Sequence, residues 1–207
     1  MKKFRLLSLL GVVLVAGTLA GCLNNNDVNE GTNNQWDIII EDITADTNAV
    51  IDYNDSLVDI ASSCIASEDA IWNTYNSDEF DADKVQTAID NTLDECNSAI
   101  TQIEALGGWE WDNSLKDGVV TLLQKDVEYY GKIREMIAYL AISEDGLTEE
   151  QNEAYESILA EIDTLDQELE AANNNLIEIQ NQFAANHKFE LEDIDEEVVA
   201  EDVVEEE

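Results

Sequence analysis

Glu68, Thr92 and Asp126 are the polar residues of this chain whose placement could carry chemistry. Each falls on a mostly apolar helical seam, and the register derived below puts them at one level, with Leu165 opposite. Two carboxyl groups buried together would share a proton or bind a cation, because two adjacent negative charges do not both ionise cheaply in an apolar core. The commoner arrangement tilts both carboxylates to water or pairs them with a base such as Lys125. A second group is aromatic. Trp109 and Trp111 lie in a short turn, near Tyr53 and Phe183 by register. Such rings could stack a sugar or grip a partner's side chain. More often they cap the open end of a helical hairpin.

The remaining chemistry is sparse. His187 is the one histidine and has no partner of the kind catalysis needs; beside Lys188 near a helix end, a cation there suits the helix dipole. No nucleophile elbow, zinc-ligand spacing or phosphate loop is present. The run from Asp78 to Asp83 has several acids but lacks the turn glycine of a calcium-binding loop. The expectation is a protein that is not an enzyme and has no resident metal or cofactor.

Four segments position these side chains. In each, apolar residues recur in alternating steps of three and four, the seam of helices packed at shallow angles. The first runs from Trp36 through Ile40, Ile43, Thr47, Val50, Asn54, Leu57, Ala61, Cys64, Glu68 and Ile71 to Tyr75, until Asn76-Ser77-Asp78 interrupts it. Asp81 is a suitable N-cap for the second, which carries Val85, Ile89, Thr92, Cys96, Ala99 and Ile103 and ends at Gly107-Gly108. The third starts near Asp112 to Ser114 and bears Leu115, Val119, Leu122, Asp126, Tyr129, Ile133, Met136 and Leu140. After Gly146, Thr148 and Gln151 have capping-box spacing, and Tyr155 to Phe183 hold the alternation without a polar exception.

Short turns between long amphipathic helices imply antiparallel neighbours, hence an all-α, elongated up-down-up-down four-helix bundle. Proline, the strongest helix breaker, is absent. In the first hairpin, facing residues carry numbers that add to about 160, as Cys64 and Cys96 do. Both lie on their seams, so the sequence predicts a disulfide closing a loop of about thirty residues. The second and third helices are the shorter pair. The expectation is therefore a two-helix stalk, with Trp36, Ile39, Ile40 and Ile43 facing Phe189, Leu191 and Ile194 on a fourth helix that continues past His187.

The chain has 207 residues, with nine bases against 48 acids and a formal charge of −39. That charge excludes nucleic acid as a partner of the protein body and favours solubility, cations or a cationic partner. Three of the bases, Lys2, Lys3 and Arg5, precede an apolar stretch from Leu6 to Ala16, and Leu19-Ala20-Gly21-Cys22 closes it. A cationic start, a short apolar run and small residues before the end make a secretory signal. Its last four residues resemble the lipobox of bacterial lipoproteins. The resemblance implies cleavage before Cys22, a diacylglycerol on its sulfur and acylation of the new amino terminus, enough to anchor a protein durably. Leu23 after that cysteine permits sorting to an outer membrane.

The domain organisation that follows is a signal peptide at 1–21, a lipidated cysteine with polar tether at 22–35, the bundle at 36–194, and an acidic, disordered tail at 195–207. An even pair of cysteines in the exported part agrees with an oxidising compartment. Tyr53-Asn54 and Tyr129-Tyr130 resemble a group of helical bacterial envelope lipoproteins of unknown function, which implies an elongated periplasmic or surface bundle with no assigned activity. The chain departs from them in its shorter length and acidic tail. Together these readings predict a non-catalytic, lipid-anchored protein of the cell membrane or outer membrane. It would bind an envelope component or act as a spacer. The alternative is a small-ligand or cation-binding lipoprotein using the carboxylate layer or the Trp-rich turn.

Overall fold

The computed structural model describes residues 17–18, 35–77, 79–142 and 146–191, with side chains from 48 onward. The lipobox cysteine Cys22, the tether and the acidic tail lie outside the described residues, as do Ile194 and the side chains of Trp36, Ile39, Ile40 and Ile43. Four helices form: α1 at Gln35–Tyr75, α2 at Ala82–Leu106, α3 at Ser114–Leu140 and α4 at Glu149–His187. They pack as an all-α bundle in which α1 lies against α2, α2 against α3, and α3 against α4. None is long and apolar enough to cross a membrane among the described residues.

The predicted boundaries have local causes. The Asp81 carboxylate accepts hydrogen bonds from the backbone N–H groups of Asp83 and Lys84 at the start of α2. Gly107 ends α2 at a φ of 80°, a conformation that a Cβ would strain. Thr148 and Gln151 exchange the two hydrogen bonds of a capping box at the start of α4. At the start of α3 it is Asp112, not the N-cap Asn113, whose carboxylate receives the Ser114 N–H, at 2.8 Å.

The seams are buried as the spacing requires. Leu57, Ala61, Cys64 and Ile71 of α1 meet Val85, Ile89, Cys96, Ala99 and Ile103 of α2 in one continuous core. Helix α3 buries a second stripe as well, through Gly118, Leu123, Tyr130 and Ile137. It needs the wider face because it also meets α1 across the bundle. A Cβ on Gly118 would lie 3.0 Å from Leu176 Cδ1, so this glycine sets how closely α3 and α4 approach. Ion pairs pin the same register from outside: Lys125 to Glu168, Lys132 to Glu161 and Arg134 to Asp90.

Two expectations about the long helices need revision. The expected two-helix stalk is not formed: α1 runs beyond the α2–α3 hairpin, since Tyr53 is already level with Gly107, but α4 stops at His187, beside Trp109 and Asp112 of the hairpin turn. Lys188 takes the left-handed conformation, with φ 62° and ψ 41°, and Phe189 donates its N–H back to the Ala184 carbonyl. Phe189 then turns inward and is buried, its ring 6.1 Å from Phe183. This is the apolar contact that commonly seals a left-handed helix end. Leu191 belongs not to a helix but to a two-residue strand, β2 at Glu190–Leu191. It pairs antiparallel with β1 at Gly17–Thr18, inside the segment expected to be a signal peptide.

Candidate functional site

Cys64 and Glu68 are one turn apart on α1, Thr92 and Cys96 one turn apart on α2, and Asp126 and Tyr130 one turn apart on α3. Residues at this spacing share a helix face, so the disulfide and the carboxyl groups form two successive layers inside the bundle, with Tyr130 one turn beyond Asp126 on α3. In the first, Cys64 and Cys96 are joined as a disulfide with Cα atoms 4.5 Å apart, and both are fully buried. In the second, Glu68 and Asp126 come together, and Thr92 of α2 is buried against the α1 backbone at Ser67.

Their burial corrects the commoner expectation. Neither carboxylate tilts to water: Glu68 is 6% exposed and Asp126 is not exposed at all. Nor does Lys125 reach them, because it lies on the surface between Glu128 and Glu168, at 2.8 and 2.7 Å. Thr92 donates its hydroxyl to the Ser67 carbonyl at 3.1 Å rather than to either acid. Leu165, expected to close this layer, is only half-buried and lines the outer surface between α3 and α4.

One oxygen of Glu68, one of Asp126 and the Cys64 sulfur all lie within 4.8 Å of one another. Glu68 Oε1, both Asp126 oxygens and the Tyr130 hydroxyl are buried with no hydrogen-bond partner. Burial, followed by the Glu68 charge, raises the Asp126 carboxyl from the usual carboxylate range to about 8. Burial likewise raises Glu68, to about 7, against a smaller lowering by the nearby Tyr130 hydroxyl. That hydroxyl is close enough to act on Glu68 without completing a well-formed hydrogen bond. Burial and then the Glu68 charge raise the Tyr130 phenol far above its usual value, so it stays protonated.

The aromatic group assembles in part. Tyr53 lies 5.6 Å from Trp109 and 6.1 Å from Phe183 between ring centroids, and its hydroxyl donates to the Gly107 carbonyl at 2.8 Å. Trp111 does not join them and is 78% exposed. His187 does, with its ring 4.5 Å from Phe183 and its Nε2 3.7 Å from Asp112. These rings pack on one another, close the end of the α2–α3 hairpin and anchor the terminus of α4. Burial acts to raise the Asp112 carboxyl, but the Ser114 hydroxyl and N–H and the His187 ring outweigh it and hold it low.

Sequence reasoning missed two contributors. Tyr130 was hidden because Tyr129 took the seam position; its spacing of four from Asp126 was the available clue. Gln180 donates to Asn54 at 3.0 Å in a buried contact between α4 and α1. Asn54 was visible as a polar break in its seam, but nothing local pointed to Gln180. An open groove of about 690 Å³ also runs between α3 and α4, over Val127, Gly131 and Leu165. Gly131 lines it, and a Cβ there would meet nothing within 4 Å. No family model, curated protein or solved structure matches the chain.

Proposed function

We propose that this chain is a non-catalytic, lipid-anchored envelope protein whose disulfide-locked helical bundle serves as a rigid spacer or docking module for another envelope component. The observation that carries the reading is the Cys64–Cys96 disulfide, placed in the middle of the core. Such bonds belong to oxidising, extracytoplasmic compartments. It agrees with the export and lipidation pattern that ends at Cys22. The side chains that could have formed a cleft support the same reading, since Tyr53, Trp109 and Phe183 are spent on packing one another.

Cleavage before Cys22 would remove β1 and free β2. Two residues per strand contribute little beside four packed helices, so the bundle is complete without the signal segment. The strongly acidic body suits a cationic partner and disfavours the bilayer surface itself, which leaves the acyl chains as the membrane contact.

Cell fractionation with crosslinking tests the proposal. Wild type is expected in the membrane fraction, crosslinked to one or a few envelope proteins, and Cys22→Ser is expected to lose membrane retention. Recovery of wild type in the soluble fraction would overturn it.

A further inference from the structure

We propose that Glu68, Asp126 and the Tyr130 hydroxyl form a binding site for one hard divalent cation at the centre of the bundle, against the Cys64–Cys96 disulfide. The inference is independent of the anchor reading. Three features of the layer carry it.

The first is distance. The Glu68 and Asp126 oxygens lie within 4.8 Å of each other. Two ligands on opposite sides of an ion with metal–oxygen bonds of about 2.0 to 2.6 Å are separated by about that much. The helices set this spacing, because Glu68 lies one turn beyond the disulfide that fixes α1.

The second is Tyr130. It is not an acid in an acidic cluster, yet it is fully buried on the same face of α3 as Asp126, and its hydroxyl sits close enough to Glu68 to act on it without completing a well-formed hydrogen bond. A buried hydroxyl left short of a full hydrogen bond costs free energy, as do the unpaired oxygens of Asp126. A proton shared between the two carboxyls would join only one pair of these oxygens. A cation engages several at once, with the phenol oxygen as a neutral ligand. The Thr92 oxygen is a further candidate, since donating to Ser67 leaves its lone pairs available.

The third is charge. Two carboxylates in a core need two positive charges, and among the described residues no side chain supplies them. Lys125, Lys132 and Arg134 are engaged on the surface with Glu128, Glu168, Glu135, Glu161 and Asp90. The Cys64 sulfur is bonded to Cys96, so it offers no thiolate and serves as a wall. An all-oxygen set of this kind selects calcium, magnesium or manganese over zinc or copper.

The test is binding of Mn²⁺, Ca²⁺ and Mg²⁺ to the purified, chelator-treated protein in about 150 mM salt, which screens the acidic surface. Calorimetry gives affinity, and electron paramagnetic resonance counts bound Mn²⁺. One site well above the surface background is expected in wild type. Loss of outer-shell partners alone weakens metal sites by about 10- to 100-fold, so Asp126→Asn and Glu68→Gln should weaken this one at least tenfold. Tyr130→Phe should weaken it less. The exposed controls Glu104→Gln and Glu153→Gln should leave it unchanged. Circular dichroism checks that every variant is folded, and removing a buried charge should help rather than harm the fold. No site above background in wild type, or equal affinity in wild type and folded Asp126→Asn, overturns the proposal and leaves a proton-sharing pair.

Discussion

Replacing Cys64 and Cys96 together by alanine tests the register and the energetics of the bundle in one experiment. The bond joins residues 32 apart, at fully buried seam positions of α1 and α2. Chain-entropy arguments for a loop of that size give about 3.7 kcal/mol of stabilisation, exerted through the unfolded state. Deleting two buried sulfurs adds a cavity cost of about 1 kcal/mol. The total of about 5 kcal/mol should lower the Tm by roughly 10 to 15 °C for a domain of this length. The helices should persist, because a continuous apolar core remains and each buried aliphatic side chain contributes about 1.5 to 3 kcal/mol. Thermal and urea melts followed by circular dichroism read both quantities. A larger urea m-value is also expected, since the unfolded chain is no longer cross-linked. A Tm within about 3 °C of wild type would refute the entropic account. Loss of helical signal at room temperature would refute the claim that the seams carry the fold.

The two glycines of α3 should respond differently to alanine. Gly131→Ala, where a Cβ meets nothing within 4 Å, should stabilise by about 0.5 to 1 kcal/mol. Gly118→Ala, whose Cβ would press on Leu176 and Ile179, should gain less or lose; denaturant melts compare them. Trp111→Ala should shift stability by no more than about 0.5 kcal/mol because Trp111 is 78% exposed. Trp109→Ala should cost more, since it removes ring contacts to Tyr53 and His187. In chelator-treated protein, the raised carboxyls make stability fall as pH rises. Asp126 and Glu68 titrate near 3.8 and 4.5 when unfolded and near about 8 and about 7 when folded. Between those values the native state holds protons that the unfolded chain has released. The slope is up to about 1.4 kcal/mol per pH unit for each group, and it flattens above about pH 8. Asp126→Asn/Glu68→Gln should be flatter than wild type over this window. Equal slopes would mean that only surface acids respond.

The sequence carried the helices, their caps and the first hairpin because these depend on spacing and on residues within a turn of each other. Cys64 and Cys96 were paired by seam position and hairpin symmetry alone, and the same symmetry placed Glu68, Thr92 and Asp126 in one layer. What spacing could not decide is whether a polar seam residue stays inside. A tilt of one side chain takes a carboxylate to water, and here the diagonal approach of α3 to α1 keeps Glu68 and Asp126 in. Tyr130 escaped notice because α3 buries two stripes, which depends on its having three neighbours. The end of α4 was misjudged because no glycine marks it. Lys188 accepts a left-handed backbone there, and the contact between Phe189 and Phe183 that accompanies it appears only once the chain has turned. The pairing of Asn54 with Gln180 spans 126 residues and rests on the α1–α4 register, which no turn fixes directly.

Mass analysis of the amino terminus of the protein, extracted with detergent from its own cells, tests the central claim most directly. A lipid-anchored bundle predicts that the chain begins at Cys22, with thioether-linked diacylglycerol on its sulfur, and that Cys22→Ser carries no lipid. A chain that keeps residues 1–21, or one that begins after them without acyl chains, would contradict it.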